Sequence, residues 1–173
     1  MPVKSEGDLR SPAGVFSLGS LFGVAPRVDG ASWPYRETTS DMICDDWPDS
    51  ARYNTMYRSA QVLSECAQGV RPCPERLMRG NDHLYDLALW VNHNKDGGVK
   101  GGGSCIFLHI WRDESSPTAG CTAMERSTLL TIARWLKPER LPVLVQMPTS
   151  EYVQVSGDWG LPGLPAGVPS ARR

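Results

Sequence analysis

Apolar positions along the chain gather in a few short extended runs and one helical stripe, separated by polar or Gly/Pro-rich stretches. The best extended run is SCIFLHIW, residues 104–111. Side chains alternate across a strand, so Cys105, Phe107, His109 and Trp111 share one face and Ile106, Leu108 and Ile110 the other. The aliphatic set is the expected core face, which turns His109 with Trp111 toward a cleft. The segment DHLYDLALWVNHN, residues 82–94, reads as a second strand closed by a turn. VFSLGSLFGV, residues 15–24, reads as an extended stretch broken by Gly19 and Gly23, and LPVLVQM, residues 141–147, as a buried strand.

The helical stripe lies in ERSTLLTIARWLKP, residues 125–138. Leu129, Ile132, Ala133 and Leu136 follow the i, i+3, i+4, i+7 spacing of one face, and Pro138 ends it. Trp135 on this helix is expected to pack. The pattern places the helix entrance just after Cys121. SAQVLSECAQ, residues 59–68, carries a fainter helical period, and GVRPCPERL, residues 69–77, reads as loop. The opening, EGDLRSPAG, is a cluster of turn formers, and a strand upstream of it is expected. The stretch from 156 to 173 is Gly/Pro-rich and is expected to be a flexible tail behind one domain spanning 1–150.

Composition narrows the class. A chain of 173 residues with 17 Gly and 14 Pro favours short strands and many turns over a helical bundle, so a mainly β domain is expected. The net charge is −1 and no basic block stands out, which points away from nucleic acid and membrane surfaces. No apolar window reaches the length of a membrane span, and MPVKSEGDLR lacks the apolar core of a signal peptide. GGVKGGG lacks the GK[ST] ending of a phosphate loop. His83 and His93 lack ligand spacing, so neither a metal nor a cofactor is expected. The five cysteines leave at least one thiol unpaired; Cys66 and Cys73 are close enough in sequence to pair in an oxidising compartment.

Chemistry concentrates in FLHIWRDESSPTAGCTAM, residues 107–124. The loop after His109 can fold back to bring Cys121 beside it. An imidazole and a helix N-terminus each favour a thiolate, and Gly120 permits close backbone approach. Backbone N–H groups of Gly120, Cys121 and Thr122 then offer an oxyanion site, the geometry of covalent acyl transfer. Two buried residues of no catalytic role would give the same spacing. Asp45 and Asp46 read as an acid/base or metal pair or, more simply, as turn caps. Lys4, Glu6 and Asp8 either line a cleft or brace a turn.

The segment GSCIFLHIW…SPTAGCTAM resembles the catalytic segment of the L,D-transpeptidase family, the YkuD-type domain of bacterial peptidoglycan enzymes. KSEGDLRSPAG is similar to that family's Lys-x-Glu-Gly-Asp…Thr-Pro-Ala-Gly turn, with Ser11 in place of Thr, and DDWPDSARYN to its Asp-Asp-Pro…Tyr-Asn segment. Asn94 falls where an Asn precedes a glycine-rich loop. The resemblance implies a mixed β-sandwich with one or two helices packed on it. It implies Cys121 as nucleophile and His109 as base, the imidazole oriented by a backbone carbonyl.

The implied reaction is acyl transfer on peptidoglycan stem peptides in the periplasm or cell envelope. A thioester on Cys121 is passed to an amine, giving a 3→3 crosslink, or to water. Hydrolysis alone, as a carboxypeptidase or amidase, and a non-catalytic peptidoglycan-binding domain are the alternatives. A carbapenem is the implied covalent inhibitor. Trp111, Arg112, Thr118 and Asn94 are the implied substrate contacts. Ala119 stands where better-studied members carry His, and Met124 near their Arg, so substrate recognition differs. Cys105 is either a small buried side chain or half of a disulfide that modulates the site.

Overall fold

A computed structural model describes residues 3–78, 81–95 and 98–165. The chain is a mixed α/β protein, and the mainly β expectation holds only in part. Among the described residues, nine strands form a six-stranded mixed sheet and a three-stranded antiparallel sheet, with three α-helices. The strands are β1 (Gly14–Gly23), β2 (Tyr35–Glu37), β3 (Met42–Cys44), β4 (Met56–Arg58), β5 (Glu75–Arg76), β6 (Leu87–Val91), β7 (Phe107–Ile110), β8 (Thr122–Met124) and β9 (Val143–Gln146). The helices are α1 (Ala60–Ala67), α2 (Arg126–Trp135) and α3 (Thr149–Val155).

The larger sheet runs β2-β1-β6-β7-β8, and β9 pairs with the first half of β1. β1 continues through Gly19, contrary to its reading as a breaker, and ends at Gly23. Its register slips between Leu18 and Leu21. At Gly23 a Cβ would stand 2.3 Å from the Asp86 carbonyl oxygen, so glycine there lets β1 approach the chain leading into β6. The smaller sheet runs β4-β3-β5.

β7 is buried on both faces, which corrects the expectation of one core face and one open face. Leu108 and Ile110 pack with Leu21, Leu89 and the α2 residues Leu129, Ala133 and Leu136. Phe107 packs on the other side with Phe22, Leu77, Tyr85 and the Cys44–Cys105 pair. Leu129 and Leu136 are 0% and 1% exposed, each worth roughly 1.5–3 kcal/mol of burial. Trp135 falls off this stripe and is 71% exposed, so it does not pack as expected. β9 is only half-buried, because it lies at the sheet margin and pairs with β1 alone.

α1 forms where the faint period lay, with the Ser59 hydroxyl accepting from the Val62 N–H as its N-cap. α3 was not expected from the sequence, and it overlaps the boundary drawn at 150. Of the expected tail, residues 166–173 lie outside the described residues. No helix among the described residues is long and apolar enough to cross a membrane.

Candidate active site

His109 sits inside β7, paired to Ala88 of β6 and Ala123 of β8. It is 6% exposed. Its Nδ1 lies 2.8 Å from the Ile110 carbonyl oxygen. A carbonyl only accepts, so Nδ1 carries the hydrogen and Nε2 keeps its lone pair. The Tyr85 ring lies beside it, with centroids 5.2 Å apart. Burial holds the imidazole below its usual pKa, against the opposing pull of the Ile110 bond and Asp82. The ring is therefore neutral at neutral pH and poised to accept a proton at Nε2.

Cys121 closes the turn that enters β8. Gly120 has φ +143°, and a Cβ there would stand 2.9 Å from the Arg10 carbonyl oxygen. Both the dihedral and the space call for glycine. The Cys121 carbonyl accepts from the Thr118 hydroxyl at 2.7 Å and from the Ser11 hydroxyl at 3.2 Å. The turn is thus held from within and by the N-terminal segment. The Gly120 N–H donates to Thr118 Oγ1 at 3.3 Å. That removes it from the expected oxyanion set. The Thr122 N–H faces β7 in the parallel β7–β8 pairing, so the Cys121 N–H is the remaining candidate.

The Cys121 thiol donates to the Cys105 carbonyl at 3.5 Å. Burial pushes its pKa up to about 12, with Glu75 adding to the rise and a Phe107 backbone bond and Lys4 opposing it. Thiol and imidazole are both neutral at rest, not the ion pair that the sequence suggested. The expected help from a helix N-terminus is also missing. β8 intervenes, and α2 starts only at Arg126. The partial charge of a helix end fades within its first turn.

Both residues open into one cavity of about 230 Å³. Thr118 and Gly120 line it as well. Lys4, Glu6, Asp46 and Glu75 line the rest of its polar wall. Glu6 accepts from the Tyr53 and Ser104 hydroxyls at 2.5 and 2.7 Å. Burial, reinforced by Glu75, Glu6 and Asp45, raises the Asp46 carboxyl to about 6.

Its neighbour Asp45 turns the other way and is 0% exposed. Burial alone would raise its pKa. Bonds from Tyr57 and Ser50 and the Arg71 guanidinium, 2.7 Å away, outweigh burial and hold it below the usual range. Of the acidic pair, then, one member is a structural hub and the other lines the site.

The N-terminal trio divides similarly. Glu6 and Lys4 reach the cavity, whereas Asp8 braces the turn by accepting from Lys4 and from the backbone N–H of Ser5 and Arg10. These bonds hold the Asp8 carboxyl down at about 2.

Trp111 and Arg112 are not on the cavity wall. The Trp111 backbone N–H donates to the Met124 carbonyl and Arg112 is exposed, because the chain leaves the sheet there. Asn94 lies elsewhere too, and its amide organises the loop by bonding the Val99 N–H and carbonyl and the Gly103 carbonyl. His83 is exposed beside Asp86, and His93 bonds the Gly102 carbonyl at 2.8 Å. Among the described residues no group of three or more His, Cys, Asp or Glu side chains gathers around a metal position.

Two features escaped the sequence reading. Glu75 enters the site because β5 pairs Glu75 with Cys44, and nothing in GVRPCPERL announces that strand. Asn54 is 3% exposed and donates to the carbonyls of His93 and Asn94 while accepting the Cys105 N–H. Cys105 itself stands at φ +54° just before β7. Disulfides join Cys44 to Cys105 and Cys66 to Cys73, leaving Cys121 free.

A larger trough of about 950 Å³ lies beyond the N-terminal turn. It is lined by that turn, by Thr122, by the ends of the loop carrying Asn94 and by Gln146 to Pro148. Lys4 lines both spaces. No family model matches the chain, and comparison with curated proteins and with solved structures finds no match to either.

Proposed function

We propose that the chain is a cysteine acyltransferase acting on peptidoglycan stem peptides in the bacterial envelope, with an L,D-transpeptidase-type β-sandwich as its fold. One observation carries the reading. His109 Nδ1 is tied to the Ile110 carbonyl, which leaves Nε2 as the proton acceptor, and His109 lines the same cavity as the only unpaired cysteine among the described residues. The resemblance of the segments around Lys4, Asp45, His109 and Cys121 supplies the substrate class.

In this scheme Cys121 Sγ attacks the carbonyl at the L-centre of a diaminopimelate residue as His109 Nε2 takes the thiol proton. Because both groups are neutral at rest, proton transfer accompanies attack rather than preceding it. The tetrahedral oxyanion is held by the Cys121 N–H. Its collapse breaks the bond to D-alanine, whose nitrogen takes the proton from the imidazolium. An amine then attacks the thioester, giving up a proton to His109, and Sγ leaves to recover it. Water in place of the amine gives hydrolysis.

The test is release of D-alanine from a tetrapeptide muropeptide by the wild type and by Cys121→Ala. Loss of release in the variant is expected, and unchanged release refutes the proposal. Mass analysis of the products separates crosslinked dimers from trimmed monomers. The high thiol pKa specifically favours a second reading, a peptidoglycan-binding domain without turnover. Peptide binding with no release by the wild type would establish it.

A further inference from the structure

We infer that the large trough beside the N-terminal turn holds the carboxylate-bearing acyl side of the peptide donor, with the Arg10 guanidinium as its anion contact. This rests on the acyltransferase reading and deepens it. Thr122, the residue next to the nucleophile, lines the trough, and Lys4 lines both the trough and the nucleophile's cavity. Its volume, about 950 Å³, suits a peptide several residues long, whereas the 230 Å³ cavity accommodates only the groups at the reacting bond.

The polar side chains on its wall are nearly all committed. Gln146 accepts from the Thr122 hydroxyl and donates to the Pro12 carbonyl at 2.8 Å. His93 and Asn94 are bonded to their own loop, and Lys4 is paired with Asp8. Among the described residues, Arg10 is the charged group on this wall whose side chain has no partner. Pro12, Ala13, Met147 and Pro148 supply apolar surface around it.

A guanidinium left free at the edge of an apolar trough matches a carboxylate, which it can bind through two parallel hydrogen bonds. The charge contrast sets the direction. The nucleophile's cavity presents Glu6, Asp46 and Glu75 against Lys4, so it repels an anionic chain and favours the ammonium of an incoming amine. The trough presents Arg10 and Lys4 against Asp8. A donor whose acyl side carries free carboxylates is therefore steered along the trough, leaving its reacting carbonyl beside Cys121.

The probe is a stem tetrapeptide ending in D-alanine, compared with the same peptide whose glutamyl α-carboxylate is converted to an amide. Acylation of Cys121 is followed by intact mass, and peptide binding by calorimetry, in the full chain and in Arg10→Gln. For the carboxylate peptide, Arg10→Gln is expected to raise KM and Kd about tenfold or more while kcat stays within about twofold. For the amidated peptide the two proteins should differ little, and added salt should erode only the wild type's preference. Equal KM and Kd in both proteins with the carboxylate peptide overturns the inference. Wild-type chain that binds the peptide in an Arg10-dependent way but forms no thioester overturns the acyltransferase reading and leaves the trough assignment standing. Arg10 is exposed and its guanidinium bonds nothing, so the substitution leaves the fold intact.

Discussion

The Ser11 hydroxyl donates to the carbonyl of Cys121 at 3.2 Å, joining residues 110 apart in sequence. Together with Thr118 it fixes the Cys121 carbonyl, and so the placement of the nucleophile's backbone. Ser11→Ala removes one neutral hydrogen bond, worth about 0.5–1.5 kcal/mol. Acylation of Cys121 should slow by a few-fold to about tenfold, with the melting temperature nearly unchanged, and Ser11→Thr should restore the rate. Thr118→Ala, which also releases the Gly120 N–H, should slow it further. Stopped-flow acylation of the two alanine variants and of Ser11→Thr checks the order.

A thiol raised to about 12 does not alkylate as a preformed thiolate. Iodoacetamide labelling of Cys121 should climb steadily from pH 7 to pH 10 without a plateau. An ion-paired thiolate would instead show a fast, flat rate at neutral pH. His109 titrates below its usual pKa, so its base function should be complete above about pH 6.5 and fail only as the pH falls below that. His109→Gln should cost roughly 10²–10⁴ in acylation rate at pH 7.5.

Asp46 has its folded pKa raised from 3.8 to about 6. A raised carboxyl pKa favours the folded state at low pH and weakens it as pH rises through that value. Asp46→Asn should therefore stabilise the chain by about 2 kcal/mol at pH 8 and by almost nothing below pH 4. Denaturant midpoints at the two pH values check the sign.

The parts legible in the chain were those with local causes. The α2 stripe and the β7 run follow from periodicity, and the neighbourhood of His109 and Cys121 from the motif around them. What could not be read came from partners far away in sequence. Cys121 looked like a helix entrance because ERSTLLTIARWLKP begins so soon after it. The three residues of β8 were invisible because their strand pairing comes from β7, not from their own pattern. The burial of the Phe107 and His109 face could not be read because the second packed layer, built from Phe22, Leu77, Tyr85 and the Cys44–Cys105 disulfide, leaves no mark on β7 itself. The acidic wall likewise depends on β3 and β5 pairing, which places Glu75 opposite Cys44.

The Cys44–Cys105 disulfide closes a separation of 61 residues and ties the small sheet to the strand bearing His109. Chain entropy gives it about 4 kcal/mol. Cys44→Ala with Cys105→Ala should lower stability by about that much. It should also reduce acylation of Cys121 beyond the stability loss, because Cys105 lines the cavity and its carbonyl holds the thiol. Removing the peripheral pair, Cys66→Ala with Cys73→Ala, should leave acylation unchanged. Unfolding curves and acylation rates for the two double variants separate these effects.

Intact mass after exposure to a carbapenem tests the nucleophile and its ligand class together. The wild type should gain one carbapenem mass, mapped to the peptide containing Cys121. Cys121→Ala should gain none, and His109→Gln should gain it far more slowly. An unlabelled wild type, or an adduct that persists in Cys121→Ala, contradicts the proposed role of Cys121.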